Sequence, residues 1–137
     1  MNYISGYAKL VQRHLGRKAK VPDGLSDTQI SEAEKNLGFQ LPASLRDYYR
    51  IAGNLSELNK PHNVLFDIAE LFVDNDFLIF MEENQAVVYW GIKITDLAIP
   101  DPEVWQQVNS TPSEWYSEEM TFSEFIVQMV DSQFGIY

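Results

Sequence analysis

The chain reads as α+β, with helices first, antiparallel strands in the middle and one last helix, all packed on a twisted sheet. Three stretches carry this reading. Residues 26–53 hold two helical stripes with clear start and stop signals. Phe77–Lys93, FLIFMEENQAVVYWGIK, reads as two strands around the polar turn Glu83-Asn84-Gln85. Residues 121–135 return to helical spacing behind another capping signature. The sheet segment organises the rest. Phe77–Met81 is apolar at both alternating positions and Ala86–Ile92 nearly so, whereas a strand with one solvated face alternates apolar and polar. A strand apolar on both faces is covered on both, which places this hairpin in the middle of a sheet. Asn84 suits the turn because its side chain bonds its own backbone and tolerates the left-handed region.

The first helix is expected over Tyr3–Leu15, with Ile4, Tyr7, Ala8, Val11 and Leu15 on one stripe. His14, near the apolar edge, reads as a packed histidine rather than a base. Gly16-Arg17-Lys18-Ala19-Lys20 and Pro22-Asp23-Gly24 end the helix and form a basic loop, either a small interaction patch or a solvated loop paired with the acidic body. The second helix starts at the N-cap Ser26, with Gln29 three residues on as in a capping box. It buries Ile30, Ala33 and Leu37 and stops at Gly38, where a residue without Cβ enters the left-handed region cheaply. Leu41-Pro42 opens a third helix, with proline in the first turn, and Leu45, Tyr48, Tyr49 and Ala52 share its inner face up to Gly53-Asn54. Residues 55–76 give no single pattern: Pro61-His62-Asn63 reads as loop, Val64–Phe72 as short strand, short helix or both, and Asp74-Asn75-Asp76 as a turn. Thr95–Glu103, with Pro100 and Pro102, reads as extended loop, Val104–Val108 as a strand and Ser110–Glu114 as a turn. The last helix starts at Thr121 with Glu124 at the third position, presents Phe122, Phe125, Ile126, Met129 and Val130, and ends at Gly135.

With 137 residues, 45% hydrophobic and 13% aromatic, the chain is expected to form one globular domain spanning residues 1–137. No apolar run approaches the roughly 20 residues of a membrane helix, and the first residues do not read as a secretory signal, so a cytoplasmic location is expected. The absence of cysteine excludes disulfides, thiol nucleophiles and thiolate metal sites. The net charge of −10 is unevenly placed. Residues 1–22 hold Lys9, Arg13, Arg17, Lys18 and Lys20 and no acid, while residues 51–137 hold fifteen acids against Lys60 and Lys93. Such a field attracts cationic partners and repels nucleic acid. Direct nucleic-acid binding is therefore not expected, and a basic protein is the natural partner; plain solubility is the alternative meaning of the charge.

Motifs for chemistry are sparse. His14 and His62 share no metal-ligand spacing. Asp74-x-Asp76 resembles the start of a calcium loop, then places Leu78 at a ligand position and Ile79 where the loop glycine belongs. No metal or cofactor is expected. There is no glycine-rich phosphate loop and no nucleophile elbow. The adjacent pairs Glu82-Glu83 and Glu118-Glu119 are poor candidates for paired acid–base work, because successive strand residues point to opposite faces. The later strands are more informative. Tyr89, Trp90, Trp105, Trp115 and Tyr116 lie among acids, and aromatic anchors flanked by charge mark protein-binding surfaces. Trp90, inside an apolar strand, reads as core; Trp115-Tyr116, in a polar context, is the better exposed anchor. The candidate protein-binding residues are Glu82, Glu83, Asp101, Glu103, Glu114, Trp115, Tyr116, Glu118 and Glu119.

Several pieces in order resemble the SUKH superfamily, which includes the Smi/Knr-type regulators of cell-wall synthesis. They are Ile30-x-x-x-Glu34-x-x-Leu37-Gly38 followed by Leu41-Pro42-x-x-Leu45-x-x-Tyr48-Tyr49, then Glu83-Asn84-Gln85 through Tyr89-Trp90-Gly91, then Asp101-Pro102-x-Val104-Trp105 with the helix at Phe122-Ser123-Glu124-Phe125. The resemblance covers about residues 26–130. It departs at Gly53-Asn54, where the family often has Asn-Gly, and residues 55–76 match none of its pattern. It implies an α+β fold and no enzyme activity. Bacterial members are largely immunity proteins that bind and neutralise toxin domains, often nucleases, and others look like scaffolds or regulators. The resemblance thus implies a cytoplasmic immunity protein with a basic toxin domain as partner, or else an intracellular scaffold or regulatory module without one. A small hydrolase using acidic residues is the third class.

Overall fold

The structure, a computed structural model, describes residues 3–85, 87–108 and 114–135. It has five helices, α1 (Tyr3–Leu15), α2 (Asp27–Leu37), α3 (Ala43–Ala52), α4 (Ser56–Asn59) and α5 (Phe122–Gln133). The six strands are β1 (Val64–Leu65), β2 (Phe72–Asp74), β3 (Phe77–Glu82), β4 (Val88–Lys93), β5 (Glu103–Val108) and β6 (Glu114–Thr121). Every pairing is antiparallel, and the fold is the expected single-domain α+β arrangement. β3, β4, β5 and β6 are successive neighbours, while β1 and β2 follow one another along the other side of β3. The apolar hairpin therefore lies inside the sheet.

α5 crosses one face of this sheet. Phe80 meets Phe122 and Phe125 edge-on at 5.2 and 5.9 Å, and Trp90 meets Phe125 at 5.8 Å. A bulge in β3 helps fill this layer. Ile79 pairs with Gly91 and Met81 with Trp90, so Phe80 is the extra residue, and both Phe80 and Met81 enter the core. Behind α5, α3 buries Leu45, Tyr48, Tyr49 and Ala52 as its spacing requires. Buried hydroxyls need partners, since an unpaired one costs about 1–3 kcal/mol. Tyr48 donates to Asn59 Oδ1 at 2.6 Å, Tyr49 to the Phe66 carbonyl at 2.6 Å and Tyr7 to the Ser44 carbonyl at 2.9 Å. Burial pushes all three phenols above the ordinary tyrosine range.

Several elements differ from expectation in detail. The inner face of α1 is Tyr7, Leu10 and Val11, rotated toward His14, and Ile4 is 37% exposed at the rim. The cause is the docking of His14 on α5, where its Nε2 bonds Asp131 and its ring stacks on Phe134 at 4.4 Å. Pro42 caps α3 rather than entering its first turn, and the N–H of Ser44 donates to the Pro100 carbonyl at 2.8 Å. α2 begins with the reciprocal Ser26–Gln29 bonds, and Gly38 at φ 88° ends it. The basic loop folds back on itself through Arg17, which grips Asp23 at 2.8 and 2.9 Å.

Residues 55–76, unreadable in advance, form α4, β1, a 3-10 turn over Ile68–Glu70, and β2. Asn75 and Asp76 adopt φ 49° and 67° and close a two-residue hairpin between β2 and β3. Ile94–Asp96, expected to be loop in part, is a 3-10 turn. The expected turn at Ser110–Glu114 falls partly outside the described residues, but Glu114 already begins β6, so Trp115 and Tyr116 are strand residues. Ala86 also lies outside the described residues, and β4 starts at Val88.

Candidate functional site

The register sorts the candidate residues, because directly paired residues of neighbouring strands share a face. Glu82, Tyr89, Gln107 and Trp115 form one such row on the face opposite α5. The next row on that face is Ile79, Gly91, Trp105 and Ser117, followed by Phe77 and Lys93. Among the described residues, no ring contact joins a helix to these rows. They are covered by their own rings instead: Trp115 lies flat on Phe77, with centroids 3.7 Å apart and planes 9° apart, and Trp105 meets Phe77 at 6.2 Å. Lys93 Nζ stands 4.2 Å over the Trp105 ring. Gly91 makes room for this slab, since a Cβ there would come within 2.9 Å of the Leu78 carbonyl and 3.2 Å of Ile79 Cδ1.

Carboxylates rim the slab. Glu82 stands at one end of it. Glu103, exposed at the other, accepts from Ser117 Oγ at 2.6 Å. The remaining acids turn elsewhere. Tyr116 pairs with Gln106, which pairs with Trp90, so Glu114, Tyr116 and Glu118 belong to the α5 side, with Glu118 beside the helix. Tyr116 is 49% exposed and donates to Glu114; this hydrogen bond raises its phenol above the usual tyrosine range. Glu118 Oε2 accepts the indole N–H of Trp90 at 3.1 Å. Glu119, at φ 58°, occupies a break in the register of β6. Asp101 is engaged within the fold: it accepts the Ser123 N–H at 2.9 Å and the Ser123 hydroxyl at 2.6 Å, fixing the start of α5. Glu83 sits at the β3–β4 turn, with its N–H on the Val88 carbonyl.

The ion pairs of the described residues all lie outside the sheet, where some acids, such as Glu32, Glu57 and Glu124, are nevertheless without one. Asp23, Asp27, Glu34, Asp47, Asp67 and Asp131 are all paired with a cation. Among the described residues, Glu82, Glu83, Glu103, Glu114, Glu118 and Glu119 have no cation within salt-bridge distance. No group of three potential metal ligands gathers among the described residues. Phe77 and Lys93 were not singled out as surface residues from the sequence, and Trp105 was noted among the aromatics without being a candidate binding residue. The alternation around Gly91 was the available signal, but it does not say which face α5 crosses.

A family model for the SMI1/KNR4 family (SUKH-1) matches residues 24–127. The chain belongs to this family. The match begins just before α2 and ends within α5, so this SUKH-1 chain carries α1 outside the matched segment. No curated protein and no solved structure matches the chain. Among the described residues, no helix of this SUKH-1 chain is long and apolar enough to cross a membrane.

Proposed function

We propose that this SUKH-1 protein is an immunity-type binding protein. It neutralises a cognate bacterial toxin domain, a basic nuclease, by laying an acidic surface over the active site. The observation that carries the reading is the sheet's charge: among the described residues its acids, Glu82, Glu103, Glu114, Glu118 and Glu119, have no cation in salt-bridge distance, and every cation that makes an ion pair makes it with an acid outside the sheet. Carboxylates without an internal cationic partner stand in for the phosphates of a nucleic acid in a basic groove. The Phe77–Trp115 slab supplies the flat aromatic ground that such interfaces use at their centre. Glu82, Glu103 and Trp115 form the contact on the open face. Glu114, Tyr116, Glu118 and Glu119 extend it around β6, and Glu83 borders it at the turn. Binding by occlusion requires no catalysis, cofactor or metal, and it acts in the cytoplasm.

Affinity capture from a lysate of the source organism, washed at low and then high salt, tests this. One dominant basic protein is expected, released by salt because long-range attraction is screened within about 10 Å at 0.1 M. Charge reversal by Glu82→Lys with Glu103→Lys is expected to weaken capture while leaving thermal unfolding nearly unchanged. Capture that survives both salt and charge reversal overturns the acidic-surface mechanism. Several weak partners in place of one favour a scaffold or regulatory module on the same fold.

A further inference from the structure

Where β6 meets α5, Glu118, Met120, Phe125, Gln128, Met129 and Ser132 line an open cavity of about 210 Å³. We propose that this cavity receives an arginine side chain of the bound protein. The proposal rests on the reading of this chain as a binder of a basic partner, and it names one contact of that interface.

The lining matches an arginine along its whole length. Met120, Met129 and Phe125 give an apolar wall, and methionine adapts its shape to what it packs on. Long cationic side chains lay their methylene stems on such surfaces and keep the charged head at a polar end. That polar end is Glu118. Its carboxylate is held in place by Trp90 Nε1–H at 3.1 Å, and a carboxylate accepts about four hydrogen bonds in all. No cation of the described residues pairs with it. Gln128 and Ser132 add neutral polar atoms on the α5 wall. A guanidinium presents five donors in a fixed fork and is weakly hydrated, so it suits a half-buried acid flanked by an amide and a hydroxyl better than an ammonium does.

Trp90 makes the site observable. Its indole N–H lies on the same carboxylate that the guanidinium would engage, so occupancy moves the indole N–H resonance together with the Met120 and Met129 methyl resonances. The experiment titrates the full chain with n-butylguanidinium and, separately, with its neutral isostere n-butylurea, at constant ionic strength. A fragment of this size is expected to bind with a dissociation constant on the order of 10 mM. Saturable shifts at all three probes with n-butylguanidinium, at least about tenfold weaker in Glu118→Gln and unchanged in Glu103→Gln, are the expected result. The exposed α5 position gives a second variant: Gln128→Arg supplies a guanidinium from within and is expected to abolish the response. Equal shifts with n-butylurea, an undiminished response in Glu118→Gln or Gln128→Arg, or no response at 50 mM (about five times the expected constant) overturns the proposal. The two readings fail separately. Capture of a basic partner whose affinity is unchanged by Gln128→Arg removes the arginine contact and leaves occlusion standing. A saturable titration without any captured partner removes occlusion and leaves a guanidinium-binding cavity.

Discussion

The two faces of the sheet bury their side chains by different means. Under α5, rings meet at steep angles: Phe80 crosses Phe122 and Phe125 at 78° and 82°, filling the depth between two layers. On the opposite face Phe77 and Trp115 lie parallel, and among the described residues no ring of a helix meets them. Edge-on packing uses every ring edge and face within the interior. Flat stacking shields the strands beneath while leaving one ring face outward. β3 is buried along most of its length on both sides, yet only one side is an interior in the usual sense. The other is a surface that has been made apolar and flat, with unpaired acids at its margins.

Substitutions separate the two mechanisms. Phe80→Ala, inside the helix-covered layer, is expected to cost about 3–5 kcal/mol in urea unfolding. Gly91→Ala is expected to cost about 1–3 kcal/mol, because its Cβ meets the Leu78 backbone carbonyl and cannot be accommodated by a rotamer change alone. Trp115→Ala should cost less, about 1–2 kcal/mol, with Trp115→Phe recovering most of it through the stack on Phe77. If Trp115→Ala proved as costly as Phe80→Ala, the open face would be a second core and not a surface.

A group on neither face gives the reference for small effects. The Arg17 hydrogen bonds, with the Lys20 N–H, hold the Asp23 carboxyl below the usual carboxylate range. A lowered folded-state pKa contributes stability above the unfolded value of about 4 and loses it as pH falls through the folded value. Asp23→Asn should therefore be less stable than the parent at pH 7, and the two unfolding curves should converge below about pH 4. A gap that persisted in acid would assign the effect to lost packing instead.

The helices were legible because their signals are local. Ser26 with Gln29, Gly38, the Tyr48–Tyr49 stripe and the Phe122–Val130 stripe each sit within one or two turns of what they specify. The interior position of the β3–β4 hairpin was legible for the same reason, since burial on both faces is written into every residue of the run. The strand β6 was not. Its alternation of Trp115, Tyr116, Ser117 and Glu118 satisfies pairing with β5 without an apolar face to mark it. The segment 55–76 is stitched by distant partners, such as Tyr48 on Asn59 and Tyr49 on Phe66, which no local window contains. The acidic and aromatic residues of the candidate surface were legible only as a composition, and their division between two faces depends on register. Asp101, for instance, spends both carboxylate oxygens on Ser123.

The break in β6 has a consequence for how this sheet ends. β6 is the outermost strand, and on its inner side Trp105 pairs with Ser117 but Glu103 pairs with Thr121, so the chain makes an irregular step through the left-handed Glu119. An unbroken outer strand is a template on which another strand can grow. Here the step twists the row of backbone donors and acceptors out of line, and Glu114, Glu118 and Glu119 would set like charges against those of a second copy. This edge is thereby poorly suited to extension by strand addition. A partner that meets the sheet at this edge therefore meets side chains, Glu114, Tyr116 and Glu118, before it meets a pairing-ready backbone.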